Sequence, residues 1–222
     1  ARRREPITNV YQTERSQEVL LCLDSGRMMG NPVGRGTALD QAIDASIVLA
    51  HVCHRSGDRV GMAVFGDTVQ QFVRPASGES ALRRMIDQLI EIEAEGVFPS
   101  YTALVSRIRA LQKKRSLIFL FTDLNDPQLA ANLAEVLPLI SRRHVLVVVS
   151  LRDPLLDRIA AGAASDARSL HQVFAARELS RERAARVREL ILAGVQVLEA
   201  DADRLSLDVI NRYLQVKARQ MV

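Results

Sequence analysis

The sequence has no tryptophan, three tyrosines and six phenylalanines, so aromatic residues make up only 4% of the chain. That scarcity argues against a platform for single-stranded nucleic acid, which stacks successive bases on rings. A net charge of +4 spread over 222 residues is a weak electrostatic footprint, and no nucleic-acid partner is expected. Cysteine is also scarce. Cys22 and Cys53 fall in a strand pattern and a helix pattern, and read as small buried hydrophobes of a reducing compartment. No apolar run reaches the ~20 residues of a membrane span, and no signal peptide is visible. Membrane attachment is expected only through a region absent from this chain. The chain starts at Ala1, without Met, in a basic Ala-Arg-Arg-Arg-Glu-Pro stretch. Residues 1–16 read as an N-terminal extension and the whole as a fragment of a longer protein.

What is present is a repeated strand ending. The run Val19-Leu20-Leu21-Cys22-Leu23 stops at Asp24, followed by Ser25-Gly26-Arg27-Met28-Met29. A second run, Leu117 to Phe121, stops at Thr122-Asp123. Ligand chemistry in open α/β sheets sits outside the carboxyl ends of the strands. Two such strands side by side would aim Asp24 and Asp123 at one spot.

Between them, elements alternate. Strands are expected at Glu18–Leu23, Arg59–Phe65, Val69–Val73, Ser116–Phe121, Val145–Leu151 and Val195–Glu199. The third is an antiparallel edge strand after the Gly66-Asp67 hairpin signal. Helices are expected from Thr37, whose Thr-x-x-Asp resembles a capping box, to His54, and over 80–90 and 102–113. Further helices start at Asp126-Pro127 and cover 177–193, capped by Gly194, and 206–218. Short helical segments follow Asp153-Pro154. Strands separated by helices imply a doubly wound, mostly parallel α/β sheet with one antiparallel edge strand and helices on both faces. Residues 1–222 read as a single domain.

At Asp24 to Met29, Tyr101-Thr102 and Phe121-Thr122-Asp123-Leu124 the chain resembles the von Willebrand factor A domain. More closely, it resembles the bacterial family known as domain of unknown function fifty-eight. Gly57-Asp58-Arg59-Val60-Gly61 with Phe65, Arg115-Ser116-Leu117, and Arg212-Tyr213-Leu214 with Lys217 extend the likeness over nearly the whole chain. The resemblance implies a metal-ion-dependent adhesion site at the top of the sheet and protein recognition in place of catalysis. In the parent fold, an Asp-x-Ser-x-Ser strand end, a later threonine and a second aspartate surround Mg²⁺. By this resemblance Asp24, Thr102 and Asp123 are the metal residues. The two serine positions fall on Gly26 and Met28, which makes the site degenerate. Glycine has no side-chain oxygen, and a thioether suits a hard cation poorly. Ser25 offers an oxygen one residue out of register. Waters could replace the serines, or Arg27 could reach Asp24 or Asp123 and neutralise it with its fork of donors. Taken singly, each aspartate also reads as a cap of the turn after it.

Weaker signals have plainer readings. His51, Cys53 and His54 lack the other ligands of a zinc site. Gly34-Arg35-Gly36 lacks the remainder of a dinucleotide or P-loop motif and reads as a mobile loop beside the site. Arg177, Arg181, Arg183, Arg186 and Arg188, interleaved with Glu178, Glu182 and Glu189, read as a solvated helix face laced with ion pairs. Lys113, Lys114, Arg115, Arg142, Arg143 and His144 read as a basic rim at the opposite end of the strands.

The expected function is a non-catalytic interaction or assembly module with no catalytic residue. Its candidate contact residues are Ser25, Arg27, Gly34, Arg35, Gly36 and Tyr101. The resemblance implies a MoxR-type AAA+ ATPase as partner, and a place on the cytoplasmic side of a membrane-anchored bacterial protein. Two rival readings remain. One is a metal-independent scaffold that binds through the Arg177–Arg188 helix. The other is a metal-dependent phosphohydrolase with Asp24 as nucleophile, although Gly26 stands where such an enzyme has a second aspartate.

Overall fold

Runs of apolar residues too continuous for a half-exposed strand become the middle of a parallel sheet, where both faces are covered. In the computed structural model, which describes residues 16–152, 154–163 and 166–220, β1 (Glu18–Asp24), β4 (Arg59–Phe65), β6 (Ser116–Phe121) and β7 (Val145–Leu151) are nearly all buried. With β5 (Val69–Ala76) and β8 (Gln196–Ala200) they form a six-stranded sheet in the order β5-β4-β1-β6-β7-β8. Within this sheet, among the described residues, β4 and β5 are the one antiparallel pair. Residues 1–15 of the expected 1–16 extension, and Asp153, lie outside the described residues.

Side chains alternate across the sheet and divide the core in two. Leu21, Leu23, Phe119, Phe121 and Val149 face α1 (Ala38–Arg55), α2 (Glu79–Leu89) and α8 (Leu205–Gln220). Leu20, Cys22, Ile118, Leu120 and Val148 face the other way, toward α3 (Tyr101–Leu111), α4 (Pro127–Val136), α5 (Pro138–Ser141) and α7 (Ala167–Leu192). Helix starts follow local chemistry. Thr37 and Asp40 form the expected capping box of α1, and Asp126 caps α4 with Pro127 in its first turn.

Three features differ from the sequence expectation. Gly34-Arg35-Gly36 is not a free loop. Gly34 and Arg35 turn a small hairpin between β2 (Pro32–Val33) and β3 (Gly36–Thr37), with Gly34 at φ 64°. Two-residue ladders are too short to show periodicity. The helix expected over 177–193 begins at Ala167, capped by Asp166 and Ser169. Its first turns expose Leu170 and Phe174, so no apolar stripe announced them. α6 (Pro154–Ala161) packs beside it. Finally, β5 runs on to Ala76, through Pro75 and a register shift opposite Gly61. A Cβ at Gly61 would lie 2.4 Å from the Val73 carbonyl oxygen, so only glycine admits this approach.

At the lower edge, Asp58 is 2% exposed. It accepts from the Tyr213 hydroxyl at 2.6 Å, the Lys217 ammonium at 3.0 Å and the Gln17 amide at 3.0 Å. These bonds tie α8 to the turn between α1 and β4. Removing one partner of a buried charge leaves the other uncompensated. Lys217→Met is therefore expected to cost about 3 kcal/mol, read as a lower urea midpoint with unchanged slope.

Candidate functional site

The register of β1 on β6 decides which side chains meet at the upper edge, where the parallel strands end. Leu23 lies opposite Phe121, so the next residues, Asp24 and Thr122, are neighbours on the same face. Asp24 Oδ2 accepts from the Thr122 hydroxyl at 2.5 Å, and Oδ1 accepts from the Gly26 amide at 2.7 Å. The Tyr101 hydroxyl lies 2.8 Å from that of Thr122. The bonds form a chain from Tyr101 through Thr122 to Asp24. Thr122 belongs to the site although it was not singled out in the sequence. Aligning the ends of the two apolar runs, Leu23 with Phe121, would have found it.

Asp123 follows the opposite parity and turns toward the other face. There it lines a small cleft with Met29, Ala38 and Leu205. Its two oxygens accept from the backbone amide and the side-chain amide of Asn125, at 2.6 and 2.9 Å. This is the turn-capping geometry open to an aspartate at a strand end. Thr102 is exposed on the first turn of α3, and among the described residues it bonds to neither aspartate. The strands thus bring Asp24 and Asp123 near enough for their charges to interact, but on different hydrogen-bond networks, with Thr102 on neither.

The serine positions are filled in other ways. A Cβ on Gly26 would sit 2.8 Å from Pro99 Cδ and 2.9 Å from Asp24 Oδ1, because the 96–100 loop closes over it. That loop is fixed by backbone bonds from the Arg27 amide to the Val97 carbonyl (2.9 Å) and from the Ser100 amide to the Gly66 carbonyl (2.7 Å). Met28 is half-buried in the 3₁₀ turn Arg27–Gly30.

Four expectations need correction. Arg27 reaches neither aspartate. Its guanidinium lies 4.5 Å over the ring of Phe98, since the buried Asp24 already has closer donors. Ser25 and Tyr101, expected on a partner-facing loop, are 0% and 1% exposed. The Ser25 hydroxyl donates to Gln70 Oε1 at 3.2 Å, and Tyr101 is drawn inward by Thr122 and by its tilted contact with Phe65. The basic helix is not solvated throughout. Arg183, 7% exposed, donates to Glu199 Oε1 (2.9 Å), Asn125 Oδ1 (3.0 Å) and the Leu151 carbonyl (2.7 Å). Arg186 donates to the carbonyls of Leu124 and Asn125 at 3.1 and 3.2 Å. Both arginines hold the loop that carries Asp123.

Burial pushes the Asp24 carboxyl up to about 6, with the Asp123 charge adding to the rise and the Thr122 and Gly26 donors opposing it. Burial likewise raises Asp123, against its Asn125 bonds and the Arg183 charge. An acid whose folded pKa is raised keeps its proton in the folded state while the unfolded chain has lost it. Its contribution is therefore full below the unfolded pKa and is lost as pH rises to the folded value. For Asp24 that window runs from about 4 to about 6, and the loss is about 3 kcal/mol. Asp24→Asn is expected to lack this decline. The check is the difference in urea-unfolding free energy between the two proteins, measured across pH 4 to 7.

The comparisons with known proteins agree with this architecture. The family model described as protein of unknown function DUF58 matches residues 1–188. No curated protein matches the sequence. A crystal structure of conserved hypothetical protein BatB from Bacteroides thetaiotaomicron superposes with a TM-score of 0.57 at 14% identity, covering 92% of this chain and 100% of that one. An aerotolerance-related membrane protein from Bacteroides fragilis gives 0.56 at 16% identity, over 90% and 99%. Manganese-loaded TRAP protein from Plasmodium vivax gives 0.54 at 16%, over 88% and 72%. The SpRpn10 VWA domain gives 0.50 at 11%, over 88% and 94%. At these identities the structural likeness concerns the fold, which is that of VWA domains. The chain belongs to the DUF58 family.

Proposed function

We propose that this protein is a non-catalytic interaction module that meets its partner through the exposed loops of the upper edge. The observation that carries this reading is the pairing of Arg27 with Phe98. Phe98 is 55% exposed at the crest of the 96–100 loop, and the guanidinium rests on its ring. Arg27 forms no ion pair among the described residues. An aromatic ring and an arginine held together at an exposed edge match the composition of interface hot spots. Arg35, exposed on the hairpin turn, adds a second cation to the same edge. Together they favour a partner surface carrying carboxylates.

Catalysis fits the same geometry poorly. Asp24, the candidate nucleophile of a phosphohydrolase, is 2% exposed with a donor on each oxygen. Binding through the α7 arginines also has less support, because Arg183 and Arg186 are spent on the protein's own loop. The partner proposed is the MoxR-type AAA+ ATPase that the family resemblance implies. The module is proposed to work on the cytoplasmic side of a membrane-anchored bacterial protein. Among the described residues no helix is long and apolar enough to cross a membrane.

Phe98→Ala and Arg27→Glu are each expected to weaken binding to a purified MoxR-type ATPase at least roughly tenfold, a hot-spot effect, with the melting midpoint kept. Biolayer interferometry on the two variants makes the check. Unchanged affinity in both would move the interface off this edge.

A further inference from the structure

We propose that the upper-edge site works without a divalent ion, because the protein's own donors take the places an ion would occupy. A hard cation needs six or more oxygens arranged around one point. Here the oxygens that the fold supplies lie on separate networks. Asp24 gives one oxygen to the Gly26 amide and the other to the Thr122 hydroxyl. Asp123 gives both to Asn125, and Asn125 is itself gripped by Arg183 and Arg186. Thr102 stands exposed and apart.

The space beside Asp24 is also filled. Pro99 Cδ and the Val97 carbonyl oxygen lie 2.8 and 3.1 Å from where a Cβ on Gly26 would be. A serine there could not be accommodated without moving the 96–100 loop, so its hydroxyl cannot join a ligand set. The same loop carries Phe98 and rests on the Arg27 amide, so opening the site to an ion would disturb the exposed edge as well. Thr122 does the work the ion would do. Its hydroxyl joins the end of β6 to the end of β1 and relays to Tyr101 on α3.

This inference does not depend on where a partner docks, and its test uses the isolated protein. The melting midpoint is measured in EDTA and then in millimolar Mg²⁺ or Mn²⁺ for wild type and Asp24→Asn, and free Mn²⁺ is followed by its electron paramagnetic resonance signal. The expected result is no metal-dependent rise in wild type and no loss of free Mn²⁺ signal on adding protein. An ion that binds only the folded state must raise the midpoint. A rise in wild type that disappears in Asp24→Asn, or Mn²⁺ taken up by wild type and not by Asp24→Asn, overturns the proposal. Thr122→Val is expected to lower the midpoint by about 3 °C or more with or without metal, while Thr122→Ser, which keeps the hydroxyl, holds it. A Thr122→Val midpoint equal to that of wild type also overturns it.

Discussion

A carboxylate placed in the interior must be answered by donors or lose its charge. At the upper edge, the bond between Asp24 and Thr122 is that answer, and much of the local structure follows from it. The bond requires β1 and β6 to be adjacent and in the register that sets Leu23 against Phe121. Thr122 also meets the Tyr101 hydroxyl, in the first turn of α3, whose start Ser100 caps. The bond between Asp24 and Thr122 leaves Oδ1 free to receive the Gly26 amide, which shapes the turn and lets Pro99 close over a residue with no side chain. The exposed pair of Arg27 and Phe98 sits on the outside of that closure.

The lower edge solves the same problem with different means. Asp58 is as deeply buried as Asp24, but it has a full cation in Lys217 besides its two neutral donors. Asp24 has hydroxyl and amide donors alone. Burial therefore lifts Asp24 well above the ordinary carboxylate range. The two ends of one sheet thus hold one carboxylate bonded to a cation and another poised near the titration range.

Strand positions were legible because continuous apolar runs admit few alternatives. β4, β6 and β7 begin and end where the sequence says, and the Thr37 capping box and Asp126-Pro127 mark two helix starts. The site was legible only in outline. Asp24 and Asp123 could be placed at adjacent strand ends, but which of them faces which side depends on register, a pairing between distant segments. Thr122 was hidden because a threonine before an aspartate looks like a strand residue. The inward turn of Arg183 was hidden for a related reason. On a helix with alternating charges nothing local separates an arginine bonded to solvent from one bonded to Glu199, Asn125 and Leu151, whose positions come from other parts of the chain.

The close approach at Gly61 bears on the margins of the sheet. A sheet edge is a row of unpaired backbone groups, open to extension by any passing strand. At one margin, β5 has two register shifts against β4, and Pro75 brings no amide hydrogen to that strand. At the other, β8 is only five residues long and keeps Glu199 tied to Arg183. Bulges, proline and brevity are the usual guards against edge-to-edge aggregation. Both margins resist lengthening of the sheet by another chain.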